Sequence, residues 1–441
     1  MPGSGLLVIS IDGLNPSYVI EADKYGLKIP HLRRIMKEGV YATGVRGVLP
    51  TVTYPSHTTM LTGVLPVKHG IYSNVTFDPE NKNASGWYWF AEDIRVPTLW
   101  SAAAKAGYVV GSVSWPVSVS ADGVTYLIPE YWRSMKGADD VKNTRALSSP
   151  GLLSKLEKKH GKYIVDLDVA VPGDWMRTRY AASIIRDKRA QVMTLHLAAL
   201  DHIEHDTGPA TASAFAALEE IDSMVGELAS AIHSIAPRAA VCIVSDHGMA
   251  KIDHELNLLA AFVKAGLVTL GEGRTPFGMP VVTDWKAQVW NNSGSAAIVL
   301  KDPNDKATHD KVRQLLTMLA ADPVNGIAAV LDRTAIGKLG GAPVASFWVD
   351  MKPGFTISSN PAAKETVRSV AVRGTHGYAP THEVMRASFF LSGSGIKQGL
   401  NLGEIEMRHF APTLARHLGI TLDTADLKPM EVFTTSPLPP N

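Results

Sequence analysis

Only one cysteine, Cys242, occurs in the 441 residues, so no internal disulfide framework is available and stability must come from a buried core. Neither sign of charge is in excess: 43 basic residues face 42 acidic ones. That balance gives no electrostatic case for a nucleic-acid polymer or an anionic membrane surface, while a small phosphate-bearing ligand depends on local charge alone. No apolar run approaches the roughly 20 residues a membrane span needs. The start, "MPGSGLLVIS", has no charged segment leading into a long apolar one, so no signal peptide is visible. Internal repeats and low-complexity tracts are absent too, and only the tail "TTSPLPPN" reads as loose.

What is present is an alternation. Short apolar runs rich in β-branched residues recur as "LLVISI" (6–11), "YVVGSV" (108–113), "VMTLHL" (192–197), "AVCIVS" (240–245) and "ASFFLS" (387–392). Helical patterns lie between them at 96–107, 174–188 and 210–235. Strands alternating with helices predict an α/β fold, with a mostly parallel central sheet sandwiched between helices. Within 251–370 the pattern changes: a strand at 295–301, a helix at 310–322, a strand at 327–332, then a strand or hairpin at 346–358. This segment reads as a smaller inserted α+β cap subdomain, with 1–250 and 371–441 forming the catalytic domain.

In parallel sheets the functional groups gather beyond the carboxyl ends of the strands. Asp12 ends the first strand in "VISIDG", and Asp246 and His247 end another in "VCIVSDHG". Asp201 and His205, in "LDHIEHDTGP", stand four apart and so share one side of a helical turn. His376 lies between glycines in "GTHGY". One aspartate at a strand end is an ordinary cap. Three aspartates and three histidines so placed form a natural ligand set for two divalent ions, and imidazole with carboxylate suits zinc. Two such ions can hold the attacking and leaving oxygens of a phosphoryl transfer.

The nucleophile is sought in "LPTVTYPSHTTMLTG" (49–63). Pro55 fits a first helical turn and Gly63 a helix end, so Thr53 sits at a helix N-terminus, where backbone N–H groups favour an anion. A hydroxyl there that also touches a metal can ionise and attack phosphorus. Thr51, Ser56, Thr58, Thr59 and Thr62 read as caps or helix-surface residues.

Together "ISIDG", "PTVTYPSHTTMLTGVLPVKHGIYSN", "LDHIEHDTGP", "VSDHGM" and "GTHGY" resemble, in order and spacing, the alkaline phosphatase superfamily. Within it the likeness is to the nucleotide pyrophosphatase/phosphodiesterase group. The resemblance implies Thr53 as nucleophile, with Tyr54 where the family has phenylalanine. It further implies two zinc ions, one held by Asp12, Thr53, Asp246 and His247, the other by Asp201, His205 and His376. Asn74 falls on the family asparagine whose side chain, with the Thr53 backbone N–H, binds a phosphoryl oxygen. The reaction so implied is hydrolysis of a small-molecule phosphodiester or nucleotide phosphoanhydride through a phospho-threonine. Family members are mostly exported, so a periplasmic or secreted protein whose leader is absent from this chain is expected, with a cytoplasmic one as the alternative.

Monoesterases and phosphonate hydrolases of the superfamily place two basic residues after the strand corresponding to 108–113, whereas "SVSWPVSVS" (112–120) holds none. A monoanionic diester suits that deficit better than a dianionic monoester. Trp115, Trp87 and Trp89 are candidate contacts for a base or alkyl leaving group. His57 reads as packing on the short helix, His202 as adjacent to the ligands without their spacing, and His382 as a candidate support for a ligand. His69 and Arg386 read as structural. A phosphomonoesterase or phosphonate hydrolase is the alternative within the superfamily, and an inactive metal-binding protein the alternative outside catalysis.

Overall fold

The computed structural model describes residues 5–83, 86–132, 137–164, 170–275, 278 and 280–434. The expected loose tail falls, beyond Thr434, outside them. The central sheet has eight strands in the order Leu400–Asn401, Gly39–Tyr41, Phe389–Ser392, Ala240–Val244, Leu6–Ile11, Val192–Leu197, Val110–Val113 and Tyr126–Ile128. The five from Ala240–Val244 to Tyr126–Ile128 run parallel, and Phe389–Ser392 is antiparallel to both neighbours. The sheet is therefore mostly parallel, as the alternation predicts.

Strand Leu6–Ile11 is buried along its whole length because both sheet faces are covered. Its period of two sends Leu7, Ile9 and Ile11 into one core, with helices Pro30–Lys37, Val171–Lys188 and Ala212–Ile235. Leu6 and Val8 enter the opposite core, under helices Thr53–Thr62, Leu99–Lys105 and Phe410–His417.

From Ala250 to Thr375 the chain builds smaller sheets over a separate core that includes Phe262, Leu316, Phe347 and Tyr378. Strands Ala287–Asn291, Ser295–Leu300, Ala345–Met351 and Ile327–Asp332 form one sheet. The stretch 346–358 is no hairpin: after Met351 the chain crosses to a second sheet, where Gly354–Ile357 runs parallel to Ala250–Leu256. That sheet's third strand, Val367–Thr375, pairs antiparallel with Ala250–Leu256 and precedes the return to the central sheet at Phe389–Ser392.

The hydroxyl-rich helix Thr53–Thr62 differs from its surface reading. All ten residues are buried. Three of its threonine hydroxyls are satisfied by backbone carbonyls, Thr58 donating to that of Tyr54 at 2.8 Å and Thr62 to that of Thr58 at 2.8 Å, while Ser56 Oγ has no partner. Thr59 donates to the Val64 carbonyl at 3.0 Å. Such back-bonding lets a polar sequence occupy an interior. Gly63 ends the helix in the left-handed region, φ 70°, as its position predicts.

Candidate active site

Three adjacent parallel strands deliver the acidic groups. Asp12 follows Leu6–Ile11 directly, Asp246 and His247 follow Ala240–Val244 on one side, and on the other Val192–Leu197 leads into helix Ala199–Thr207, which carries Asp201 and His205. His376 arrives on the loop after Val367–Thr375. Asp12, Asp246 and His247 form one buried group and Asp201, His205 and His376 a second, the donor atoms of each lying within 4.8 Å of one another. The parallel rings of His247 and His376, with centroids 3.6 Å apart, join the groups.

These atoms converge on points rather than on each other. His247 Nε2 is 3.1 Å from Asp246 Oδ2 and 3.4 Å from Asp12 Oδ1, yet none of the three is hydrogen-bonded, and Asp201 Oδ1 is likewise buried without a partner. Each such atom costs roughly 1–3 kcal/mol unless something meets it. Burial, then the Asp246 and Asp201 carboxylates, hold the Asp12 carboxyl well above its usual range, as expected where negative charge is crowded without a cation.

The imidazoles are oriented to match. His205 Nδ1 donates to the Gly374 carbonyl at 3.0 Å, His376 Nδ1 to that of Thr51 at 3.1 Å, and His247 Nδ1 to that of Gly248 at 3.2 Å. With Nδ1 so engaged, each ring turns Nε2 into the site, the arrangement by which ligand histidines are fixed. The donor set, its orphaned atoms and its tautomers fit two divalent ions.

Thr53 opens its helix at 8% exposure, next to the extended cap residue Val52. Its segment is stitched to the His376 loop, since the Thr51 carbonyl also accepts the Gly377 N–H at 3.0 Å and Thr51 Oγ1 donates to the Tyr378 carbonyl at 2.9 Å. Asn74 Oδ1 accepts the Tyr54 N–H at 2.8 Å, which leaves the amide NH2 of Asn74 as the donor beside Thr53.

Several polar residues that pattern reading missed hold this constellation. His196, inside strand Val192–Leu197, places Nε2 3.0 Å from Asp12 Oδ2 and Nδ1 3.0 Å from Glu130 Oε2. Burial opposes protonation of His196, but hydrogen bonds to Asp12 and Glu130 prevail and push it up to about 10. Glu130 Oε1 accepts the Tyr54 hydroxyl at 2.8 Å. Asp174 accepts the N–H groups of Ala198 and Ala199 at 3.1 and 2.9 Å and so caps the helix bearing Asp201 and His205. The available signal was a histidine or aspartate placed where periodicity calls for an apolar residue.

The remaining expectations have mixed outcomes. His57 turns from its helix toward the sheet, with Nε2 2.8 Å from Ser10 Oγ and Nδ1 2.8 Å from the Thr53 carbonyl. Trp115 is 0% exposed, packed against His57 and Trp100, and Trp89 is 2% exposed, so neither offers a face to substrate. Trp87 is half-buried, with its ring centroid 5.1 Å from that of Tyr54 and 4.5 Å from that of Trp132. His382 pairs with Asp350 at 2.7 Å rather than with a candidate ligand. His69 bonds Thr59 and Ile71, Arg386 bonds Glu404 and two backbone carbonyls, and both are structural.

A family model described as type I phosphodiesterase / nucleotide pyrophosphatase matches residues 6–379. Human ectonucleotide pyrophosphatase/phosphodiesterase family member 1 is 26% identical over 257 residues, a match covering 55% of this chain and 23% of that protein. The chain thus spans about a quarter of the length of that relative. The solved structure of human ectonucleotide pyrophosphatase/phosphodiesterase 5 superposes with a TM-score of 0.65 at 20% identity, covering 95% of this chain and 96% of that one. An inactive threonine-to-alanine variant of the murine protein 5, in complex with AMP, gives 0.62 at 19% identity with the same coverage. These likenesses establish the alkaline-phosphatase-like α/β fold.

Proposed function

The chain belongs to the type I phosphodiesterase / nucleotide pyrophosphatase family, and from that premise we propose that it hydrolyses phosphodiester or phosphoanhydride bonds of small molecules through a phospho-threonine at Thr53. The observation that carries this reading is the set of buried, unpartnered ligand atoms on Asp12, Asp201, Asp246 and His247. Two zinc ions, one on Asp12, Asp246, His247 and Thr53 and one on Asp201, His205 and His376, would supply Lewis-acid stabilisation of the attacking and leaving oxygens.

Thr53 Oγ loses its proton to solvent and forms a bond to phosphorus as the leaving-group oxygen departs with its electron pair on the opposite side and takes up a proton from solvent. Water then attacks the phospho-threonine, and Thr53 Oγ departs and recovers a proton. The Asn74 NH2 and the Thr53 backbone N–H donate to a nonbridging oxygen, whose charge grows in each transition state. Residues 251–370 act as a cap subdomain over this centre.

A diester is favoured over a monoester because residues 112–120 bring no lysine or arginine. The AMP complex of the murine relative supports a nucleotide as one substrate, with the half-buried Trp87 as the candidate contact for a base. Among the described residues no helix is long and apolar enough to cross a membrane, and export is proposed from the family resemblance. The test is turnover of a methyl aryl phosphodiester by wild type and by Thr53→Ala at equal zinc content. Loss of nearly all turnover is expected, and retention of most of it rules out Thr53. A tenfold or greater preference for the aryl monoester overturns the substrate class.

A further inference from the structure

A run of hydrogen bonds, joined through the covalent body of Tyr54, links the first metal group to the donors beside Thr53. It passes from Asp12 Oδ2 through both ring nitrogens of His196, then through Glu130 to the Tyr54 hydroxyl. Its last step leads from the Tyr54 N–H to Asn74 Oδ1. His196 is 2% exposed, Glu130 9% and Tyr54 0%, so water competes little for any of these links.

Two features give the run a direction. His196 occupies only Oδ2 of Asp12 and leaves Oδ1, an orphaned atom, 3.4 Å from His247 Nε2. That bond keeps the carboxylate from rotating, so Oδ1 is the oxygen that would hold an ion there. At the other end, the link to Glu130 depends on the hydroxyl of Tyr54, at the position where the resembled pattern has phenylalanine. This chain therefore has a connection that phenylalanine cannot make.

Resting on the reading of Thr53 and its ions given above, we infer that His196 and Glu130 are positioning residues that fix the ligand oxygen of Asp12 and the donor face of Asn74 as one unit. Neither touches substrate. They act by removing freedom from groups that do, and a buried network in which His196 and Glu130 are each bonded on both sides is stiff enough to transmit that constraint. A merely structural role would lower stability and weaken both ion sites alike.

The test begins without substrate, by titrating zinc into apo-protein in competition with a chromophoric chelator so that two binding steps are resolved. His196→Gln is expected to weaken one step by about 10- to 100-fold, the usual cost of losing a residue that orients a ligand, and to leave the other step unchanged. Tyr54→Phe should weaken the same step about threefold. Because the residues act in series, Tyr54→Phe in the His196→Gln background should add nothing further. Equal weakening of both steps, no change in either, or a double variant showing the product of the single losses overturns the inference.

Should His196→Gln fail to fold, Tyr54→Phe and Glu130→Gln carry the test, with kcat for the diester expected to fall and KM to stay within twofold; no change in kcat then refutes the inference. Zinc affinity is read independently of turnover, so an inactive wild type would overturn the proposed function and leave the positioning result standing. Normal turnover with an unselective loss of zinc would overturn only the positioning role.

Discussion

Asn74 allows its two functions to be separated by a single atom. Its Oδ1 holds the Tyr54 N–H at 2.8 Å, and its NH2 is the donor proposed for the phosphoryl oxygen. Asn74→Asp keeps the acceptor and removes the donor. A preorganised donor to a developing oxyanion is worth about 2.7–4 kcal/mol, or about 10²–10³ in kcat. The new carboxylate also repels the substrate's own negative charge. The expected outcome is a drop in kcat of at least about a hundredfold, a smaller change in KM, and a melting temperature close to wild type. Asn74→Ala serves as the control: it also removes the acceptor from Tyr54 N–H, so activity and stability should fall together. Steady-state kinetics on an aryl phosphodiester, with thermal melts at fixed zinc, would measure both. If Asn74→Asp retained kcat within threefold of wild type, the amide would not be the oxyanion donor.

Stripping the ions with a chelator should lower the melting temperature, and restoring zinc at a hundredfold excess over its dissociation constant should return about 2.7 kcal/mol per site; a metal-free protein that melts unchanged would contradict the metal reading. Gly377 has φ +89°, and a Cβ there would meet the Asn292 carbonyl at 1.8 Å, so Gly377→Ala should displace His376 and weaken zinc at the Asp201 site by tenfold or more while sparing the Asp12 site. Burial depresses His69 to about 3, and it stays neutral between Thr59 and the Ile71 N–H. The unfolded chain takes up that proton near pH 6.5 and the folded chain does not, so stability should fall by up to about 1.4 kcal/mol per pH unit between 6.5 and 3. Urea unfolding across that range should show a shallower slope for His69→Gln, and an identical slope would refute the assignment.

The ligand candidates were legible because each interrupts or ends an apolar run: Asp12 after "VISI", Asp246 after "VCIVS", His376 between glycines. Strand geometry then fixes where such residues emerge. His196 was not legible, since it lies inside "VMTLHL", where a lone histidine is indistinguishable from a tolerated core residue until Asp12 and Glu130 are seen on either side. Helix Thr53–Thr62 misled for the opposite reason. Its composition is polar, but hydroxyls that bond their own backbone cost little to bury, and composition does not record that. At 346–358 two adjacent strand patterns suggested a hairpin, whereas the pairing partners are more than fifty residues away for one strand.

The three candidate ligand histidines, His205, His247 and His376, share a consequence for sequence change. Their acceptors are main-chain carbonyls at Thr51, Gly248 and Gly374, and every amino acid supplies a carbonyl. A substitution at any of these positions cannot delete the acceptor and acts only by moving the backbone. The instructions for aiming the imidazoles are therefore written in the path of the chain. At Thr51 replacement keeps the acceptor for His376 but gives up the hydroxyl's bond to the Tyr378 carbonyl, whereas at Gly374 it is the backbone that cannot stay, because a Cβ there would lie 2.3 Å from the Glu204 carbonyl.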